Sequence, residues 1–271
     1  MSELSAQIAV GIELALILSG AWLLWRLVLS PSARAEGTAP RLVAWEISVS
    51  DFLLFLWCVA MGGVLFQLGA GQLLKSANLD QTERLIFAGG AFQFGMLTGI
   101  AVFRLILRRR IAAAPPLVTL HPALSGLATF LIALPVLTVV SLVWKGALQL
   151  CGIEAEKQDL IDLFANAKSP ALLACMIVLA AVIAPLTEEL LFRWGIFRYA
   201  RTRAPRWLAL LLPGVLFGAL HANLASFAPL VALGIIFSLA YERTGRIGTT
   251  IVAHGLFNLN TLVLILCGVA T

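Results

Sequence analysis

Glu188 and Glu189 stand side by side in Ala184-Pro185-Leu186-Thr187-Glu188-Glu189-Leu190-Leu191-Phe192-Arg193, inside an otherwise apolar run. A carboxylate at the centre of a bilayer costs about 2.5–3.5 kcal/mol on insertion scales, so two of them require partners or a wet cavity. Glu189 and Arg193 are four apart, on one helical face, and can pair directly. Glu188 is rotated by about 100° from that face and has no partner on its own helix. Two of the three histidines also fall in apolar runs: His221 closes Phe217-Gly218-Ala219-Leu220-His221, and His254 precedes Asn258 by four in His254-Gly255-Leu256-Phe257-Asn258. A carboxylate with imidazoles and an amide is equipment for proton transfer to and from water. Glu188, His221 and His254 would alternatively offer three ligands and an open position to a zinc ion. The stronger zinc signal, H-E-x-x-H, is absent from the sequence.

The helical rise tests whether these groups can meet. Measured from the nearest arginine or tryptophan at the cytoplasmic end of each run, Glu188, His221 and Asn258 lie about 20, 21 and 18 Å deep, and His254 about 12 Å. Three separate helices thus carry polar groups to similar depth, with His254 expected one turn shallower. Pro185, one turn before Glu188, removes a backbone hydrogen bond and opens the helix there. Each residue also has a plain structural reading. Glu189–Arg193 serves equally as a buried pair that fixes packing, and a single His221 or Asn258 as a hydrogen bond between helices.

The elements that position these groups are membrane-spanning helices. Of 271 residues, 61% are hydrophobic and 12% charged, and the mean hydropathy is +0.97. A soluble domain carries roughly 25% charged residues, so lipid is the solvent that suits this chain. Eight apolar runs, near 7–29, 50–74, 86–107, 124–149, 170–199, 207–222, 225–241 and 249–269, predict an all-α bundle of about eight spans. The sixth and seventh are short and nearly continuous. Ala33-Arg34-Ala35 resembles a cleavage site, but Glu3 and the lack of an early Lys or Arg predict a retained first helix. Ser169-Pro170 reads as an N-cap and first helical position opening the fifth helix.

The net charge of +5 is distributed as topology information. Fourteen arginines lie in or beside the loops after helices one, three, five and seven, against five basic residues in the other loops. Those odd loops are therefore expected to be cytoplasmic, with both termini outside. Aromatic–basic interleaving is lacking, which excludes a nucleic-acid surface. Arg108-Arg109-Arg110 reads as a topology anchor that touches anionic lipid. The segment 151–169, with Glu154, Glu156, Asp159 and Asp162 around Leu160, Ile161, Leu163 and Phe164, reads as a short amphipathic helix on the outer surface. His121 is read as interfacial and structural. Cys58, Cys151, Cys175 and Cys267 have neither zinc nor disulfide spacing.

E-E-x-x-x-R at Glu188, Glu189 and Arg193, F-x-x-x-H at Phe217 and His221, and H-x-x-x-N at His254 and Asn258 follow one another in order. The set resembles the CAAX protease and bacteriocin-processing family, also called Abi or type II CAAX prenyl endopeptidase-like proteins, over roughly residues 170–268. The resemblance implies a catalytic helical core at 166–271 behind a variable four-helix scaffold at 1–165. It implies an intramembrane endopeptidase that cleaves a membrane-anchored protein or peptide, prenylated or bacterial. Glu188 would activate water, His221 would position it, and His254 and Asn258 would polarise the scissile carbonyl. Glu189, Arg193 and Phe217 would support them. Family members are often labelled metalloproteases, so zinc or another divalent ion stays open beside a metal-independent glutamate base. A prokaryotic plasma membrane, with the site opening toward the cytoplasm, is the expected setting. Two other readings are a non-catalytic immunity or scaffolding protein of the same family and an ion-coupled transporter. The second of these is disfavoured because no internal repeat is visible.

Overall fold

The computed structural model describes residues 3–35, 42–107, 121–153, 164 and 169–269, and these are helical apart from turns and one extended segment. Among the described residues seven helices are long and apolar enough to cross a membrane: α1 Glu3–Leu29, α2 Val49–Ser76, α3 Gln81–Ile106, α4 Pro122–Leu150, α5 Pro170–Arg201, α7 Leu224–Thr244 and α8 Ile247–Leu266. Between α5 and α7 lies the shorter apolar helix α6, Arg206–Leu220. The protein is thus an all-α, multi-pass bundle of about eight spans. Arg108-Arg109-Arg110 and residues 154–163 and 165–168 of the expected amphipathic segment lie outside the described residues. Phe164, from that segment, is buried against Ile86, Leu172 and Met176.

The ends of the helices follow local chemistry. Ser169 caps α5 through the Leu172 N–H, with Pro170 in the first turn. Asp80 and Glu83 form a reciprocal capping box at α3. His121 caps α4, its Nδ1 accepting the Ala123 N–H at 3.3 Å, which gives the residue the structural role expected of it. Asn223 caps α7 by accepting from Ser226 at 2.9 Å. The three-residue turn His221-Ala222-Asn223 separates α6 from α7 and places Ala222 at φ 49°. Gly245, at φ 66°, ends α7.

Packing divides the bundle into two regions. Helices α2 and α3 cross closely at Gly62, Gly95 and Gly99, where a side chain would collide with the facing backbone. Their aromatic core, Phe55 with Phe103, is covered by Trp45 from the extended segment 42–48. The second region gathers α4 through α8 around Phe130, Phe192, Phe217, Leu233, Phe237 and Ala253. Outside, Leu53, Trp57, Leu65, Leu105, Leu142 and Val143 are exposed, as an apolar surface facing lipid requires.

Candidate active site

Helix α5 supplies the two carboxylates, and it is not a uniform α-helix. Wide, π-type turns occupy Leu179–Ile183 and Leu190–Phe197, flanking the tight segment Ala184–Glu189. Such turns mark functional segments in many helices. The first of them follows from Pro185, which has no N–H to offer the carbonyls four and five residues before it, Ala181 and Ala180. Both freed carbonyls turn to α8. The Asn258 amide donates to Ala180 O at 2.8 Å. Gly255, one turn away on the same face, has no side chain to keep Ala181 O off; a Cβ there would lie 2.7 Å from it. Proline on one helix and Gly-x-x-Asn on the other therefore form one joint.

Glu189, Arg193 and His254 are sealed from the surroundings, while the Glu188 side chain retains 21% exposure. Arg193 Nη1 donates to Glu189 Oε1 at 2.8 Å, and its Nη2 to the Gly234 carbonyl at 3.3 Å. The guanidinium is enclosed by Phe192, Phe217 and Phe237, at 4.9 to 5.9 Å from their ring centroids. Helices α6 and α7 come close enough to do this because Gly214 and Gly234 face each other; a Cβ on Gly234 would lie 2.7 Å from the Gly214 Cα.

His254 meets both glutamates. Its Nδ1 lies 2.8 Å from Glu189 Oε1 and its Nε2 lies 3.6 Å from Glu188 Oε2. The shallower depth expected for His254 is therefore corrected. The expectation started every helix from one plane, but Ile247, at the start of α8, packs with Phe197 and Tyr241. Ile247 thus packs against the last turns of α5, at Phe197 and Ala200, and of α7, at Tyr241, and His254 reaches the glutamates from there. Because Glu189 Oε1 can only accept, His254 Nδ1 carries the proton. In the neutral ring Nε2 then presents a lone pair, and the position between it and Glu188 Oε2 is flanked by two acceptors. His221 is held in the same tautomeric sense, its Nδ1 donating to Phe217 O at 2.7 Å. The Phe217 ring sits edge-on to both imidazoles, 4.8 Å from His221 and 5.7 Å from His254.

Asn258 belongs to the joint with α5, and one of its amide hydrogens is already committed there. Among the described residues no three His, Cys, Asp or Glu side chains converge to hold a metal ion. Glu188, His221 and His254 thus do not form the zinc set that their spacing offered. Residues that sequence reasoning passed over also tie the helices together. Gly234 contributes through its carbonyl, which leaves no mark in a sequence. Glu13 does leave one: it is an acidic residue well inside α1, and its Oε2 accepts from Asn260 at 2.9 Å.

Residues 170–260 match the family model of type II CAAX prenyl endopeptidase Rce1-like proteins. A protein of Bacillus subtilis named "Putative membrane peptidase YdiL" is 35% identical over 91 residues, which are 34% of this chain and 36% of that protein. The UPF0177 protein YbdI of Lactococcus lactis is 34% identical over 87 residues, 32% of this chain and 46% of the relative. The chain thus spans less than half the length of the curated relatives it matches, and the match falls on α5 to α8. No solved structure matches.

Proposed function

From the premise that residues 170–260 carry a domain of the Rce1-like CAAX endopeptidase family, we propose that this multi-pass membrane protein is an intramembrane endopeptidase acting on a membrane-associated protein or peptide. The observation that carries the reading is the pair Glu188 Oε2 and His254 Nε2, 3.6 Å apart, with His254 fixed from behind by Glu189. One water can donate a hydrogen to each, which leaves a lone pair for the substrate.

In this reading Glu188 takes a proton as the water oxygen attacks the scissile carbonyl carbon. The C–N bond then breaks as that proton passes to the departing nitrogen, the second proton of the water follows by way of Glu188, and the products are a carboxylate and an ammonium. His254 acts as the orienting acceptor for the water, in place of the carbonyl-polarising role first expected, because its proton is spent on Glu189. His221 Nε2 adds a second acceptor at the edge of the site. The remaining Asn258 amide hydrogen is the donor for the developing oxyanion. Arginine-rich loops on one side support a site that opens to the cytoplasmic face of a prokaryotic plasma membrane. The name of the Bacillus relative agrees with a peptidase.

The test compares C-terminal peptidomes of cells carrying the unaltered protein, Glu188→Gln or His221→Ala, with the amount of folded protein measured in parallel. Cleavage is expected to fall by about 10²–10⁴-fold in Glu188→Gln, the size of a general-base contribution. Unchanged peptidomes in both variants at equal protein levels would overturn the reading in favour of a non-catalytic partner.

A further inference from the structure

At the C-terminal end of α5, beyond the glutamates, lies a cavity of about 610 Å³. Its walls are the extended segment 42–48, the end of α5 and following turn with Arg198, Arg201 and Arg203, and Glu242 of α7. Arg203 ties the segment down through the carbonyls of Trp45 and Ile47, and Arg198 through Val43 O at 3.0 Å. Glu242 is nearly buried and is gripped by Arg201 at 2.5 Å and Arg206 at 2.7 Å. Among the described residues, the remaining wall carboxylate is Glu46, which is exposed. With Glu242 neutralised, the wall is cationic. Arg198 and Arg201 use their Nε atoms in these bonds, so their terminal amino groups are the donors left to the cavity.

The level of this cavity is marked by other residues. Trp207 is exposed beside Arg206, and Trp22 and Trp25 are exposed near the end of α1. That end is held at this level by Arg243, both of whose Nη atoms donate to Leu27 O at 3.2 Å. Exposed tryptophans with arginines form the belt that sits at lipid headgroups. A basic cavity between helix ends at headgroup level has the chemistry that holds a phosphate.

We propose that the cavity bounded by segment 42–48, Arg198, Arg201 and Arg203 binds the phosphate of an anionic phospholipid headgroup. The bound headgroup would bridge segment 42–48 to the end of α5, the helix that carries Glu188 and Glu189.

Native mass spectrometry of the full chain, released from detergent with dioleoylphosphatidylglycerol or dioleoylphosphatidylcholine, tests this, with inorganic phosphate as a parallel probe. One phosphatidylglycerol is expected to be retained in preference to phosphatidylcholine, with affinity about tenfold lower in Arg198→Ala. Glu46→Gln removes an exposed anion without removing a structural bond and is expected to tighten binding, so the proposal stays open to refutation if Arg198→Ala does not fold. Retention of inorganic phosphate with the same response to both variants would assign the site to free phosphate instead of lipid, keeping the cavity's chemistry. Equal retention of both lipids, or binding indifferent to both variants, would overturn the proposal.

Discussion

His254 Nδ1 lies 2.8 Å from Glu189 Oε1, the same oxygen that Arg193 reaches at 2.8 Å. One buried carboxylate oxygen thereby fixes both the tautomer of the histidine and the position of the guanidinium inside this core. The adjacent glutamates consequently do different work. Glu189 is a sealed anchor, whereas Glu188 keeps access to its surroundings and faces the free nitrogen of His254.

Breaking the anchor should be costly. Arg193→Met or Glu189→Gln leaves an uncompensated charge among phenylalanines, and loss of one partner of a buried pair costs about 3–5 kcal/mol. Thermal unfolding of purified protein in detergent should show a large fall for either single variant. The double variant Glu189→Gln/Arg193→Met should recover part of it, and a double variant worse than the sum of the singles would refute the pairing.

The joint at Pro185 predicts a coupling. Asn258→Ala should lose about 1 kcal/mol, the size of a membrane hydrogen bond. In a Pro185→Ala background the restored N–H competes for the same carbonyls, so the loss from Asn258→Ala should shrink. A double-mutant cycle on unfolding free energy measures this; additive effects would mean that Asn258 does not compensate for the proline.

The crossing of α6 and α7 can be tested with one methyl group. Gly234→Ala should separate the helices and cost about 1–3 kcal/mol, as overpacking does. Gly69→Ala in α2, with open space around it, should be neutral or raise stability by up to about 1 kcal/mol. Both are read by thermal unfolding. Equal behaviour of the two variants would contradict the close approach at Gly214.

The proposed orientation makes Cys151, exposed at the end of α4, reachable from outside. With Cys58, Cys175 and Cys267 replaced by alanine, an impermeant maleimide should label Cys151 in intact cells. A cysteine introduced at Thr202 in the Cys151→Ala background should label only after permeabilisation. The reverse pattern would invert the topology and place the arginine-rich loops outside.

Composition and run length were sufficient for the all-α membrane bundle, because lipid admits few other ways to satisfy backbone polar groups. Spacing was sufficient for the Glu189–Arg193 pair, since four residues on one helix leave little freedom. The caps at Ser169 and Asn223 are local for the same reason, although only Ser169 was read from the sequence. Glu13 was equally legible as an acid within an apolar run.

What lies between helices was decided by tertiary structure. Linear depth put His254 too shallow, because it cannot register where α8 begins relative to α5. That level is set by packing, with Ile247 seated among Phe197, Ala200 and Tyr241. The commitment of Asn258 to Ala180 and the use of the Gly234 carbonyl by Arg193 depend on backbone groups that every residue possesses. Sequence identifies which side chains can do chemistry and along which helix they lie. The offset and approach of neighbouring helices, set by glycines, a proline and core aromatics, decide which atoms face one another and which proton each imidazole keeps.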